Sequence, residues 1–151
     1  MSTEHWNGLV EEFGRNVGLP DMSLGELGLC RVELDSVAAI DFEIDQSGQL
    51  NLYCVLPTVA SKERAALHEQ MLAANYAGHR ERVKAMFCVD PATGESLLHL
   101  LVPSHVTTLD EFGPIVKDFS AIAHAWCIKC RDGVEPSITN PTSPNDPSLY
   151  V

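Results

Sequence analysis

The stretch "HAWCIKC", His124 to Cys130, holds the residues of this chain with the most obvious chemical potential. A tryptophan before Cys-x-x-Cys is the spacing of a dithiol redox centre, and adding the upstream histidine makes a thiolate–imidazole set of the kind that holds zinc. Both readings depend on the element that carries the residues. A redox Cys-x-x-Cys opens a helix, where the positive end of the dipole favours a thiolate. Here the pair closes a predicted helix, and only "RDG" and a proline-rich stretch follow. For zinc, His124 and Cys130 are separated on one helix by about 9 Å along the axis and by about 120° around it. With Cys127 they cannot converge on one tetrahedral ion unless the helix unwinds. At helical spacing Phe112, Val116, Phe119, Ala123, Trp126 and Cys130 share an arc, with Cys127 at its edge. The cysteines therefore read as small core residues.

The remaining candidates for chemistry are scattered. Cys30, Cys54 and Cys88 lie on separate predicted strands with no second ligand pair nearby, and an odd total of five cysteines fits reduced thiols. His5, His68, His79, His99, His105 and His124 form no His-Glu-x-x-His motif, and no Gly-x-Ser-x-Gly or phosphate-binding glycine loop accompanies them. Asp41, Glu43 and Asp45 occupy the polar side of an alternating strand, where charges are expected on solvent grounds alone. No catalytic residue, metal ligand or cofactor site emerges, which favours a binding protein over an enzyme.

The elements that position these residues follow from periodicity. Trp6, Leu9, Val10, Phe13 and Val17 make one helical stripe, ended by "GLPD". "LGLCRVELD" (27–35) reads as a strand. "AIDFEID" (39–45) and "QLNLYCVLP" (49–57) alternate across "QSG", predicting an antiparallel hairpin. Ser61 reads as the N-cap of a helix through "KERAALHEQMLAANYAG", with Gly78 just past its end. That helix carries a thin apolar stripe of Leu67, Met71, Leu72 and Tyr76, filled out by alanines. "RVKAMFCVD" (82–90) and "SLLHLLVPS" (96–104) form a second hairpin around "PATGE". "TTLDE" offers a capping box, Thr108 with Glu111, for a last helix running to about Cys130 past Pro114. The fold class expected is α+β: an antiparallel five-stranded sheet with three helices, in the order helix-strand-strand-strand-helix-strand-strand-helix. Residues 1–132 make one domain, and the proline-rich 133–151 reads as a disordered tail.

The chain's 151 residues suit a single domain, and its 45% apolar content is enough for a core. No apolar run approaches the ~18 residues of a membrane span. The N-terminus lacks a basic export signal, which predicts a cytoplasmic protein. Ten basic residues against 21 acidic ones give a net charge of −11, which disfavours nucleic acid or an anionic membrane as partner. It suits either a cationic partner or plain solubility.

Six stretches taken in series resemble the class I type III secretion chaperones, the Tir chaperone-like family. They are "LVEEFGRNVGLP", "GLCRVELD" with "AIDFEID", "LHEQMLAANYAG", "FCVDPATGESLLHLLVP" and "LDEFGPIVKDFSAIAHAW", covering about residues 6 to 130. The resemblance implies a bacterial cytoplasmic homodimer that binds the N-terminal region of a secreted effector in extended form, without ATP, by strand addition and apolar patches. It further implies an effector-binding groove lined by Leu9, Val10, Phe13, Leu29 and Val32, and a dimer contact through Met71, Leu72, Tyr76 and Phe87. Two other readings stay open. One is a small ligand-binding domain or enzyme with an internal pocket, which requires polar side chains such as His99 or Tyr53 to point into the core. The other is an interaction adaptor of the same fold outside secretion.

Overall fold

A computed structural model of the chain describes residues 2–78 and 83–136. Helix α1 spans Thr3–Asn16, strands β1, β2 and β3 span Leu29–Leu34, Ala38–Ile44 and Leu50–Val55, and helix α2 spans Arg64–Gly78. Strands β4 (Met86–Val89) and β5 (Ser96–Leu101) follow, then helix α3 (Leu109–Asp132). The strands form one antiparallel sheet in the order β1-β2-β3-β5-β4, so β1 and β4 are its edges. The α+β class and the element order match the sequence reading. The expected tail from residue 137 onward lies outside the described residues, as do positions 79–82.

Local chemistry explains the boundaries. Ser2 caps α1 by accepting from the His5 backbone N–H, and Trp6, Leu9, Val10 and Phe13 point inward. At the start of α2 the expected Ser61 cap is not used. Residues Ser61–Glu63 form a single 3₁₀ turn, and the Glu63 carboxylate reaches back to the Ala60 N–H at 3.2 Å. The Thr108–Glu111 capping box forms as read, and Pro114 is accommodated inside α3. Beyond α3, Gly133–Pro136 are held to the domain rather than starting a tail. Val134 is buried, its N–H donates to Glu63 Oε1 at 2.8 Å, and Gln70 of α2 donates to the Glu135 carbonyl.

The β1–β2 connection turns through Asp35 and Ser36, both at positive φ (50° and 58°). A mirror-type turn of this kind matches strand twist. An aspartate and a serine occupy it here in place of the glycine or asparagine that usually signals it.

All three helices cover one face of the sheet. That face presents Ile40, Phe42, Leu52, Cys54, Leu98 and Leu100, each at most 4% exposed. α1 meets α3 through Phe13 and Phe112, edge to face at 5.9 Å, α2 packs against β4, and α3 lies over β2 and reaches β4 through Trp126 against Phe87. Gly14 permits close approach of the chain that follows α1: a Cβ there would stand 2.6 Å from both the Leu19 carbonyl oxygen and Met22 Cβ. Among the described residues the opposite face of the sheet has no helix over it.

Candidate functional site

Strand pairing decides which backbone groups remain available at each edge of the sheet. The Ile44 N–H donates to the Gly28 carbonyl, so the antiparallel register makes residues 30, 32 and 34 of β1 the hydrogen-bonded partners of β2. Residues 29, 31 and 33 then turn their N–H and C=O away from the sheet. Leu29 N–H is taken by the Leu24 carbonyl at 2.9 Å. Arg31 and Glu33 have no backbone partner among the described residues, which leaves a short open edge. Beside it runs a groove of ≈ 480 Å³ whose far wall is Leu19, Pro20 and Met22 and whose near wall is Val32 with its neighbours. Gly14 sets that far wall by letting Leu19 and Met22 lie against α1.

The other edge is partly occupied from within, at Phe87 but not at Val89. In β4 the outward-facing residues are Phe87 and Val89, because Asp90 pairs back to Glu95. Asn75 of α2 donates from Nδ2 to the Phe87 carbonyl (2.9 Å) and accepts from the Phe87 N–H (2.7 Å), mimicking a neighbouring strand.

The residues singled out from sequence fall into two sets. Leu9, Val10 and Phe13 are in the core of the protomer, Val10 completely, with α3 packed over them. Leu29 is 51% exposed and Val32 is half-buried, both on β1 at the open edge. Of the proposed dimer residues, Met71 and Phe87 are buried within the protomer, Phe87 against Trp126 at 4.3 Å. Leu72 and Tyr76 are 69% and 78% exposed, one turn apart on the outer side of α2. Sequence reasoning missed Leu19, which is exposed beside the groove. Its signal was an apolar residue before Pro20 with no helical partner, read only as the end of a helix.

The thiols are placed for packing. Cys127 is fully buried with its sulfur 3.6 Å from that of Cys54, and Cys130 is buried beside it. The contact with Cys127 and burial push the Cys54 thiol up, and burial followed by the neighbouring Cys127 pushes Cys130 to about 11. Such thiols resist forming thiolates. The helical arc needs one correction: Cys127 is its buried member, whereas Trp126 sits at the margin, half-buried under Lys129. His124 faces the β1–β2 turn, 3.8 Å from Asp35. Among the described residues no group of three His, Cys, Asp or Glu side chains is placed to hold a metal. No described helix is long and apolar enough to cross a membrane.

His99 and Tyr53 do not point into the core. They stack on each other on the uncovered face of the sheet, ring centres 4.8 Å apart. Asn51 donates to Asp45 and to the Gln49 carbonyl, which turns its oxygen to the His99 Nε2 at 2.8 Å. Partial burial lowers the His99 pKa.

A small α+β domain with an open strand edge at β1, a groove beside it and an exposed helix stripe has the features of a protein-binding module. Its family is that of the Tir chaperone protein (CesT), whose model matches residues 8–126, and the chain belongs to it. Solved structures share the fold. The ExsC–ExsE complex matches at TM-score 0.69 and 22% identity, covering 86% of this chain and 97% of that one. The type III secretion chaperone SycH of Yersinia pestis, in complex with a fragment of YscM2, matches at 0.57 and 16%, covering 80% and 98%. The ExoT–SpcS complex of Pseudomonas aeruginosa matches at 0.60 and 16%, covering 80% and 96%. Comparison with curated protein sequences finds no match.

Proposed function

We propose that this chain is a cytoplasmic, non-enzymatic type III secretion chaperone that binds a secreted effector through its N-terminal region and holds that segment extended, without ATP. The observation that carries the reading is the open β1 edge at Arg31 and Glu33, with the Leu19–Met22 groove beside it. An extended segment laid there gains backbone hydrogen bonds from the edge and places alternate side chains in the groove. Val32 contributes from β1, Leu29 stands on the opposite face of that strand, and Leu19 takes the part first assigned to α1. Leu9, Val10 and Phe13 support the groove from inside the protomer. Family membership and the chaperone–effector complexes among the structural relatives agree with this reading.

The protein acts as a homodimer in this proposal, joined through the outer stripe of α2. Leu72 and Tyr76 stand on that stripe among exposed Ala73 and Ala77, small enough for a second helix to approach closely. Met71 and Phe87 hold the helix to its own sheet.

Co-expression with the product of a neighbouring gene tests the function. The expected result is a co-purified complex that forms without ATP and is lost when the effector's N-terminal segment is deleted. Retention of the truncated effector, or no complex with any neighbouring product, refutes it. The dimer is tested by replacing Leu72 and Tyr76 with glutamate, which is expected to give folded monomers by light scattering. A mass unchanged from the wild type refutes the α2 contact.

A further inference from the structure

The uncovered sheet face forms a shallow trough of ≈ 550 Å³ running obliquely from β1 to the β4–β5 turn. Its floor is apolar and aromatic: Leu29, Tyr53, Val55 and Leu97. Leu29 and Val55 are exposed although both are strand residues that gain from burial. Its charges are one-sided. Arg31 is bound to Asp41 through two bonds of 2.6 and 2.8 Å, which neutralises both. Glu43, Asp90 and Glu95 remain, with no Lys or Arg in ion-pair range among the described residues. The side of the Tyr53–His99 stack away from the trough is braced by Asn51 and Asp45, so the floor is stiff.

We infer that this trough is a second docking surface, distinct from the β1 edge, for a stretch of the partner in which apolar residues alternate with lysine or arginine. Apolar side chains cover Leu29, Val55 and Leu97, while the cations meet Glu43, Glu95 and Asp90. The chemistry follows from complementarity: a floor too apolar to suit solvent, rimmed by uncompensated carboxylates, in a chain of net charge −11. An acidic or purely apolar segment leaves those carboxylates unpaired or desolvated. The inference rests on the reading that the partner enters as an extended chain. It adds that the partner does not stop at the edge but crosses the outer face.

The test uses a short capped peptide alternating leucine and lysine, with its leucine–glutamate counterpart, titrated into the isotope-labelled full chain and followed by NMR. The lysine peptide is expected to shift amides of Leu29, Tyr53, Val55 and Leu97, and the glutamate peptide is expected to leave them unmoved. Glu43→Lys with Glu95→Lys weakens binding by at least about fivefold, since exposed ion pairs are individually modest, and added salt weakens the wild type as well. Glu33→Pro, which blocks the β1 edge, leaves this binding in place, so a failed edge and a failed trough give different results. Shifts confined to other surfaces, equal binding of both peptides, or an indifferent charge-reversed variant overturn the inference. So does a charge reversal that alters self-association but not peptide affinity, which assigns the face to a second copy.

Discussion

Glu33→Pro separates folding from binding at a single backbone N–H. Glu33 lies opposite Ala39 in the β1–β2 register, at a position whose N–H points away from β2 and has no described backbone partner. Proline there removes no ladder bond, and edge strands tolerate it. The change in fixed φ and the reduced freedom of the unfolded chain leave stability within about 1 kcal/mol of wild type. Val32→Pro makes the contrast, because Val32 is hydrogen-bonded to Ile40 and half-buried. It is expected to cost about 3 kcal/mol or more. For an added strand, Glu33→Pro withdraws a donor worth about 1 kcal/mol and strands the partner's carbonyl at a further 1–3 kcal/mol, roughly. The sum of about 2–4 kcal/mol corresponds to about thirtyfold to several hundredfold in Kd. Urea unfolding gives the first quantity, and calorimetric titration with the effector segment from the co-expression experiment gives the second. A variant that unfolds at the wild-type midpoint and binds with unchanged Kd removes the β1 edge from the mechanism.

Three further outcomes follow from contacts described above. Asn75→Ala leaves the Phe87 N–H and C=O without their side-chain partner and is expected to destabilise by about 1–3 kcal/mol, with light scattering rising at high concentration; unchanged stability and scattering contradict the capping role. The Asp45 carboxyl is held down to about 2 by the Ser47 hydroxyl, the Gln49 N–H and the Asn51 amide. Its folded pKa lies below the unfolded value, so its contribution is complete above about 4 and is lost as pH falls toward 2. Asp45→Asn is therefore expected to flatten that part of the acid slope in urea midpoints, and an unaltered slope counts against it. Cys127→Ser with Cys130→Ala places a hydroxyl beside Cys54 in a fully buried site, at a cost of about 1–3 kcal/mol. Effector affinity is expected to stay within twofold, roughly, of the wild type; loss of binding in a still-folded variant restores a functional role to these thiols.

The limits of sequence reading show at particular residues. Alternation in "AIDFEID" and "QLNLYCV" marked a hairpin because period two has few competing causes. The capping box at Thr108 and Glu111 was equally plain, being local. By contrast, the stripe of Leu9, Val10 and Phe13 says that one side of α1 meets apolar matter, and a core satisfies that as well as a partner does. Only the packing of Phe112 across Phe13 decides between them. Asp35 and Ser36 carry no turn signature that glycine or asparagine would have given. The open edge itself is invisible in sequence, since whether Arg31 or Val32 faces β2 depends on a register set by the Gly28–Ile44 bond. Asn75 was unreadable for the same reason: its partner, the Phe87 backbone, has no side-chain identity to pattern against.

The Asn75 clamp also biases the valence of the protomer. With Phe87 occupied from within, the β4 edge offers an incoming strand just the Val89 backbone among the described residues, whereas β1 offers Arg31 and Glu33, so β1 is the better socket and edge-to-edge joining of subunits through β4 is disfavoured. A proposed dimer built on α2 would carry two sockets, so a single long guest could meet each subunit once, and stoichiometry would be limited by geometry as well as by affinity.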